Sequence, residues 1–194
     1  MSDLKYIPRV GRWLLAGLAG AATLLWPAPG VATLLAPLDL DALAGRADAV
    51  VHARVVSTQV TWNDAGTLPV TIVELSVLEV LDGSVGARTR LQVTTPGGTV
   101  GGIALDYPGR PRFIPGEETV VFVKQGRGRQ FIPVGLVQGT FQVGPAGAGG
   151  QQPLSRRLNG AQLIGAGKRP LPDDLEGMRQ ALRGRPRTVS GGGP

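Results

Sequence analysis

Two long alternating runs constrain this chain more than any other feature. Residues 49–62 read AVVHARVVSTQVTW and residues 68–81 read LPVTIVELSVLEVL, with the turn-forming NDAG at 63–66 between them. Successive strand residues point to opposite faces, so Val51, Ala53 and Val55 share one face while His52 and Arg54 share the other. In the second run Val73, Leu75 and Val77 face one way, Glu74 and Ser76 the other. The pattern predicts a long hairpin with one dry side and one wet side. His52, the single histidine, is then expected to be a solvated strand residue rather than a general base.

Further strands follow. RTRLQVTT (88–95) predicts a third and ETVVFVK (118–124) a fourth. QFIPVGLVQGTFQV (130–143) predicts a fifth, interrupted by Pro133, Gly135 and Gly139 as at a bulge or barrel corner. Leu40, Leu43, Ala44 and Ala47 stand at helical spacing within 38–48, with Asp39 or Asp41 able to cap. PDDLEGMRQALR (172–183) predicts a second helix, acidic at its start and carrying Arg179 and Arg183 near its end, as the helix dipole favours. RRLNGAQLIG allows a small hairpin on Asn159–Gly160. Five strands without helical crossovers argue for a mainly β fold, a small five-stranded antiparallel barrel with one N-terminal and one C-terminal short helix.

The first 32 residues have a different character. Lys5, Arg9 and Arg12 precede WLLAGLAGAATLLW, fourteen residues without charge, and then PAPGVA. A basic stretch, a short apolar stretch and small residues before a break are the parts of a secretory signal. Gly30 and Ala32 suit the −3 and −1 positions, which puts cleavage between Ala32 and Thr33. The expected organisation is a signal helix in 1–32, a barrel domain in 33–145, a linker with a possible hairpin and a short helix in 146–183, and a disordered tail in 184–194. The expected location is periplasmic or extracellular, with membrane contact only through the signal segment. The alternative is an uncleaved anchor, because VATLLAPL continues the apolar character.

Charge excludes one class of partner. The whole chain carries +6, but residues 33–150 hold nine basic and ten acidic side chains. The excess lies in the leader and in residues 151–194, which hold eight basic and three acidic. A nucleic-acid reader needs a basic patch with interleaved aromatics on the fold itself, so no nucleic acid is expected. The absence of cysteine rules out disulfides, thiolate chemistry and Cys-type metal sites, and one histidine rules out a multi-His site within the chain. No cofactor or metal is expected.

Catalytic patterns fare no better. The glycine-rich TTPGGTVGG (94–102) follows a strand but lacks the lysine, the hydroxyl and the helix of a phosphate-binding loop. Glu117–Glu118 and Asp173–Asp174 are adjacent pairs, and neighbours on a strand point apart; the first is expected to begin a strand and the second to cap a helix. Asp39, Asp41, Asp64 and Asp106 do not have calcium-loop spacing. One stretch remains. Residues 96–116 are too rich in proline and glycine for a regular element over most of their length, and long loops within a compact domain are often functional. They carry Tyr107, Arg110, Arg112 and Phe113, residue types that anchor interfaces. These four are the candidate contact residues.

The block LAGRADAVVHARVVS, with Asp48 ahead of Val50–Val51, followed by a Val-rich strand closed by Asp82–Gly83, resembles the start of the netrin-like domain. That domain is shared with tissue inhibitors of metalloproteinases. The continuation PGG…PRFIPGEETVVFV…VGLVQGTFQV is similar to a group of exported bacterial proteins, and the resemblance spans roughly residues 38–143. It implies a five-stranded OB-like barrel. The inhibitors act through an N-terminal cysteine, which this chain lacks, so their mechanism does not carry over. The expected function is an exported, non-enzymatic β-barrel module that binds a protein or an envelope component. The alternatives are a hydrolase of the cell envelope working with carboxylates, or a membrane-anchored structural accessory protein.

Overall fold

A computed structural model describes residues 33–126, 128–164 and 170–185. The expected signal segment with Ala32, and the expected disordered tail beyond Arg185, lie outside the described residues. The chain runs through β1 (Thr33–Leu35), α1 (Leu40–Arg46), β2 (Ala49–Trp62), β3 (Pro69–Gly83), β4 (Arg90–Pro96), β5 (Gly98–Val100) and β6 (Ile103–Leu105). It continues with β7 (Glu118–Gln125), β8 (Phe131–Pro133), a 3-10 turn (Leu136–Gly139), β9 (Thr140–Val143), β10 (Leu154–Ser155), β11 (Ala161–Leu163) and α2 (Leu175–Arg183).

The expected hairpin is the backbone of the fold. β2 and β3 pair antiparallel from Trp62↔Pro69 to Ala49↔Gly83, with register shifts at Val50/Val51, His52/Ala53 and Val55/Ser57. Bulges bend strands and increase their twist, which curls this hairpin toward closure. β4 pairs antiparallel with β3, and β7 pairs antiparallel with the opposite edge of β2. The spatial order β7-β2-β3-β4 returns the fourth strand beside the first, a Greek key. β8 then pairs antiparallel with β7 and parallel with β4, through Val93↔Phe131. That last contact closes five strands into a barrel. The barrel is therefore mixed rather than antiparallel, because the strand after β7 runs alongside β4 in the same direction.

The interrupted run at 130–143 is two strands along one edge of β7. Val123–Gln125 pair with β8, and Glu118–Val121 pair with β9. The break between them is built by Gly135 and Leu136 at positive φ and by the 3-10 turn. Gly139 sits so close to the chain that a Cβ there would lie 2.2 Å from the Val134 carbonyl oxygen, so only glycine fits. β9 passes out of the barrel wall and carries β10 beyond it. The turn at Asn159–Gly160 forms, with both residues at positive φ, but β11 after it pairs parallel with β1 instead of folding back as a hairpin.

Two apolar clusters result. The barrel interior holds Val51, Ala53 and Val55 of β2 with Val73, Leu75, Leu91, Val93, Val121, Val123 and Phe131. The outer face of β2, β7 and β9 supplies Val50, Val120, Phe122, Phe141 and Val143, and both helices cover it. α1 contributes Leu40, Leu43 and Ala44; α2 contributes Leu175, Met178 and Leu182. Asp39 caps α1 through the Ala42 N–H and Asp174 caps α2 through the Gly177 N–H. Each buried leucine or methionine of the helices stabilises by about 1.5–3 kcal/mol. Arg185, placed by sequence at the start of a loose tail, is held by Asp41 and Asp82, which pins the end of α2 to α1 and β3.

Candidate functional site

The excursion from β4 to β7 begins as a hairpin. β5 and β6 pair antiparallel around Gly101–Gly102, both at positive φ, as a tight two-residue turn demands. The glycines of TTPGGTVGG thus serve a turn and a close contact with the β2–β3 hairpin. Beyond β6, Asp106 gathers two of the candidate residues. Its carboxylate accepts from Arg110 Nε at 3.0 Å and from Arg112 Nη2 at 2.9 Å. The Arg110 hydrogen bond is the main reason the Asp106 carboxyl is held below the usual range. The Tyr107 hydroxyl donates to the Pro96 carbonyl at 3.3 Å, and burial pushes its pKa up. The backbone of Gly109 and Arg110 is tied to Asn159 in both directions, by Gly109 N–H to the Asn159 carbonyl and by Asn159 Nδ2 to the Arg110 carbonyl.

The four candidates therefore divide. The Arg110 side chain is only 16% exposed and folds across Gly97, and Tyr107 closes the loop on itself. Phe113 packs against the barrel interior. Arg112 remains 56% exposed, and its neighbour Ile114 is 46% exposed. The end of the excursion docks on β2 through two backbone bonds, Gly116 N–H to Val55 O and Val55 N–H to Glu117 O, both 2.9 Å.

Next to that docking point lie residues the candidate set did not include. The first of the two glutamates, Glu117, receives both terminal nitrogens of Arg157, each at 3.3 Å. Glu118 opens β7 and faces outward, where Arg54 of β2 donates to Oε1 at 2.7 Å and His52 Nε2 lies 2.9 Å from Oε2. The Glu118 carboxyl is held below the usual range, first by the Arg54 hydrogen bond and also by His52, against a partial desolvation. An ionised carboxylate only accepts, so the His52 Nε2–H is the donor of this pair. The expected solvated histidine is in fact buried, its side chain 8% exposed. Alternation gave its face correctly, but that face is roofed over along the first half of β2.

Glu117 and Glu118 separate two hollows. A small cavity of about 30 Å³ is lined by Arg112, Phe113, Ile114, Glu117, Arg157 and Asn159, among others, room for about two water molecules. A larger open cleft of about 520 Å³ runs past Glu117, Glu118, Gln142, Pro145, Gln152 and Ser155. Candidates Arg112 and Phe113 line the small cavity; Tyr107 and Arg110 line neither hollow. Register could have found Arg54 and Glu118, since β2 and β7 pair them directly. Arg157, Asn159 and Gln142 come from the far end of the chain, and only the tertiary fold brings them in. Among the described residues no three acidic or histidine side chains converge as a metal site. No protein-family model, no curated protein and no solved structure matches this chain.

Proposed function

We propose that this chain is an exported, non-enzymatic module that binds a protein or an envelope component, and that the outer edge of the β2–β7–β9 wall is its contact. The observation that carries the reading is the arrangement at Glu117 and Glu118. Two carboxylates border a 520 Å³ cleft, and each is already neutralised by its own arginine. A carboxylate hydrolase needs one of its acids protonated near neutral pH. Glu118 is pushed the other way, its carboxyl held below the usual range first by the Arg54 hydrogen bond. Fixed ion pairs flanked by an exposed Arg112 and Ile114 are the furniture of a recognition surface.

The Greek key closed by a fifth short strand supports an OB-like barrel, and with it the netrin-like resemblance of residues 38–143. The leader in residues 1–32 supports export, to the periplasm or beyond. An affinity capture with the full chain from the envelope fraction of its own host tests the reading. Arg112→Ala is expected to weaken capture with the fold unchanged. Capture that is equal for the parent and the variant removes this edge as the contact, and no capture at all removes the interaction module.

A further inference from the structure

The large cleft has a chemistry that selects among envelope components. A carboxylate offers about four acceptor positions. Arg54 and His52 occupy two on Glu118, and Arg157 occupies two on Glu117. Two remain on each, on groups whose orientation is already fixed. Around them, the side chains of Gln142, Gln152 and Ser155 make no hydrogen bond to any described residue, and all three line the cleft. The lining thus combines oriented acceptors, amides that both donate and accept, and a hydroxyl. More of its exposed lining is apolar than polar, with Val143 and the rings of Pro145 and Pro153 among the apolar parts.

Charge narrows the ligand further. Glu117 and Glu118 balance Arg157 and Arg54, so the cleft is close to neutral. An anionic ligand meets two carboxylates at the lining. A cationic one must compete with two arginines that already hold them. A neutral molecule rich in hydroxyls can add to the free acceptor positions without breaking an ion pair. An extended peptide finds no strand edge on offer, because the outer side of β10 is already engaged, through Leu154 N–H to Asp173 O and Leu175 N–H to Gln152 O. The cleft volume falls within the range of small-ligand sites, about 300–1,000 Å³.

The geometry points to a neutral glycan segment as the occupant of this cleft: sugar hydroxyls donate to Glu117 and Glu118, and the amides of Gln142 and Gln152 bind hydroxyl and ring oxygens. This assignment rests on the reading of the chain as a binding module and names its ligand class. The proline rings and Val143 supply the apolar floor for sugar C–H faces.

Titration of the full chain with N,N′,N″-triacetylchitotriose and with maltotriose, followed by ligand-observed NMR, tests it. At least one of the two binds, and Gln142→Ala and Gln152→Ala each weaken it by about three- to tenfold, the worth of one hydrogen bond. Neither amide has a partner among the described residues, so the variants keep the parent thermal stability. Binding that is unchanged in both variants puts the glycan elsewhere and overturns the assignment. So does an acidic oligogalacturonide that binds as tightly as the neutral probes, or the absence of binding by either neutral probe. If neither trisaccharide binds while envelope capture of a protein persists and depends on Arg112, the glycan assignment fails and the binding module stands. If capture is lost as well, both fail.

Discussion

The two halves of the excursion between β4 and β7 use similar residues for different ends. Residues 97–110 are tied down: a hairpin seated on the β2–β3 hairpin with its tip open at Ile103, an arginine folded across Gly97, a tyrosine closing onto Pro96. Residues 112–117 are turned outward, with Phe113 as the plug into the barrel and Arg112 and Ile114 left open. Arg110 and Arg112 make the contrast sharpest. Both bind Asp106, yet one side chain is 16% exposed and the other 56%. A shared salt bridge therefore says little about role; what surrounds the rest of each side chain decides it.

The contrast can be broken by substitution. Gly98→Ala carries the largest expected effect. A Cβ there would lie 2.5 Å from Val60 Cγ1, at a φ of +133° that other residues rarely adopt. Overpacking and backbone strain together are expected to cost roughly 3 kcal/mol in denaturant unfolding. A neutral result would show that the first half rides loosely on the hairpin. Phe113→Ala is expected to cost about 2 kcal/mol, less than a fully buried phenylalanine because the ring is only partly covered. Loss of less than half that amount would move Phe113 to the outward set.

Glu118→Gln, at the hinge where the second half joins β7, is expected to cost about 1 kcal/mol at neutral pH. Because the folded carboxyl titrates below its unfolded range, its contribution is fully present above that range and is lost as pH falls from there through the lowered folded value. Parent and variant stabilities should therefore begin to approach each other near the free glutamate range, about pH 4, and converge only below the lowered folded value. Parallel curves across that whole fall would mean that the ion pair adds nothing. Finally, Arg110→Ala is expected to lower stability by about 1 kcal/mol and Arg112→Ala by less than about 0.5 kcal/mol. Equal losses by thermal scan would erase the distinction between the halves.

Periodicity carried the sequence reading a long way, and particular residues mark where it stopped. β2 spans the residues the alternation defined, and Asp39 and Asp174 cap the helices that follow them. Val51, Ala53 and Val55 do line the barrel. His52 was misjudged because alternation assigns a face without saying what lies over it. Val50, Val120 and Phe122 make the same outer face apolar, and two helices roof it, one just ahead of β2 and one near residue 180. The β5–β6 hairpin was missed because its strands are three residues long, too short for any pattern to register. The parallel closure was hidden for another reason. Which edge β8 joins depends on the bend at Gly135–Leu136, a single conformational event with no periodic trace. The split among the four candidate residues depended on Asp106 and Asn159, contacts that residue type alone does not reveal.

The parallel contact between β4 and β8 amounts to a single register pair, Val93↔Phe131. The other joins around the barrel run for three to thirteen pairs. The wall is thus a rolled sheet with a lapped seam. Across that seam side chains take over from the backbone: the Thr94 hydroxyl donates to Gln130, and Arg88 lies over the ring of Phe131. A cylinder fastened this way holds the fewest backbone bonds along one line, so the packed ring of Phe131 and the Thr94–Gln130 bond carry the closure there.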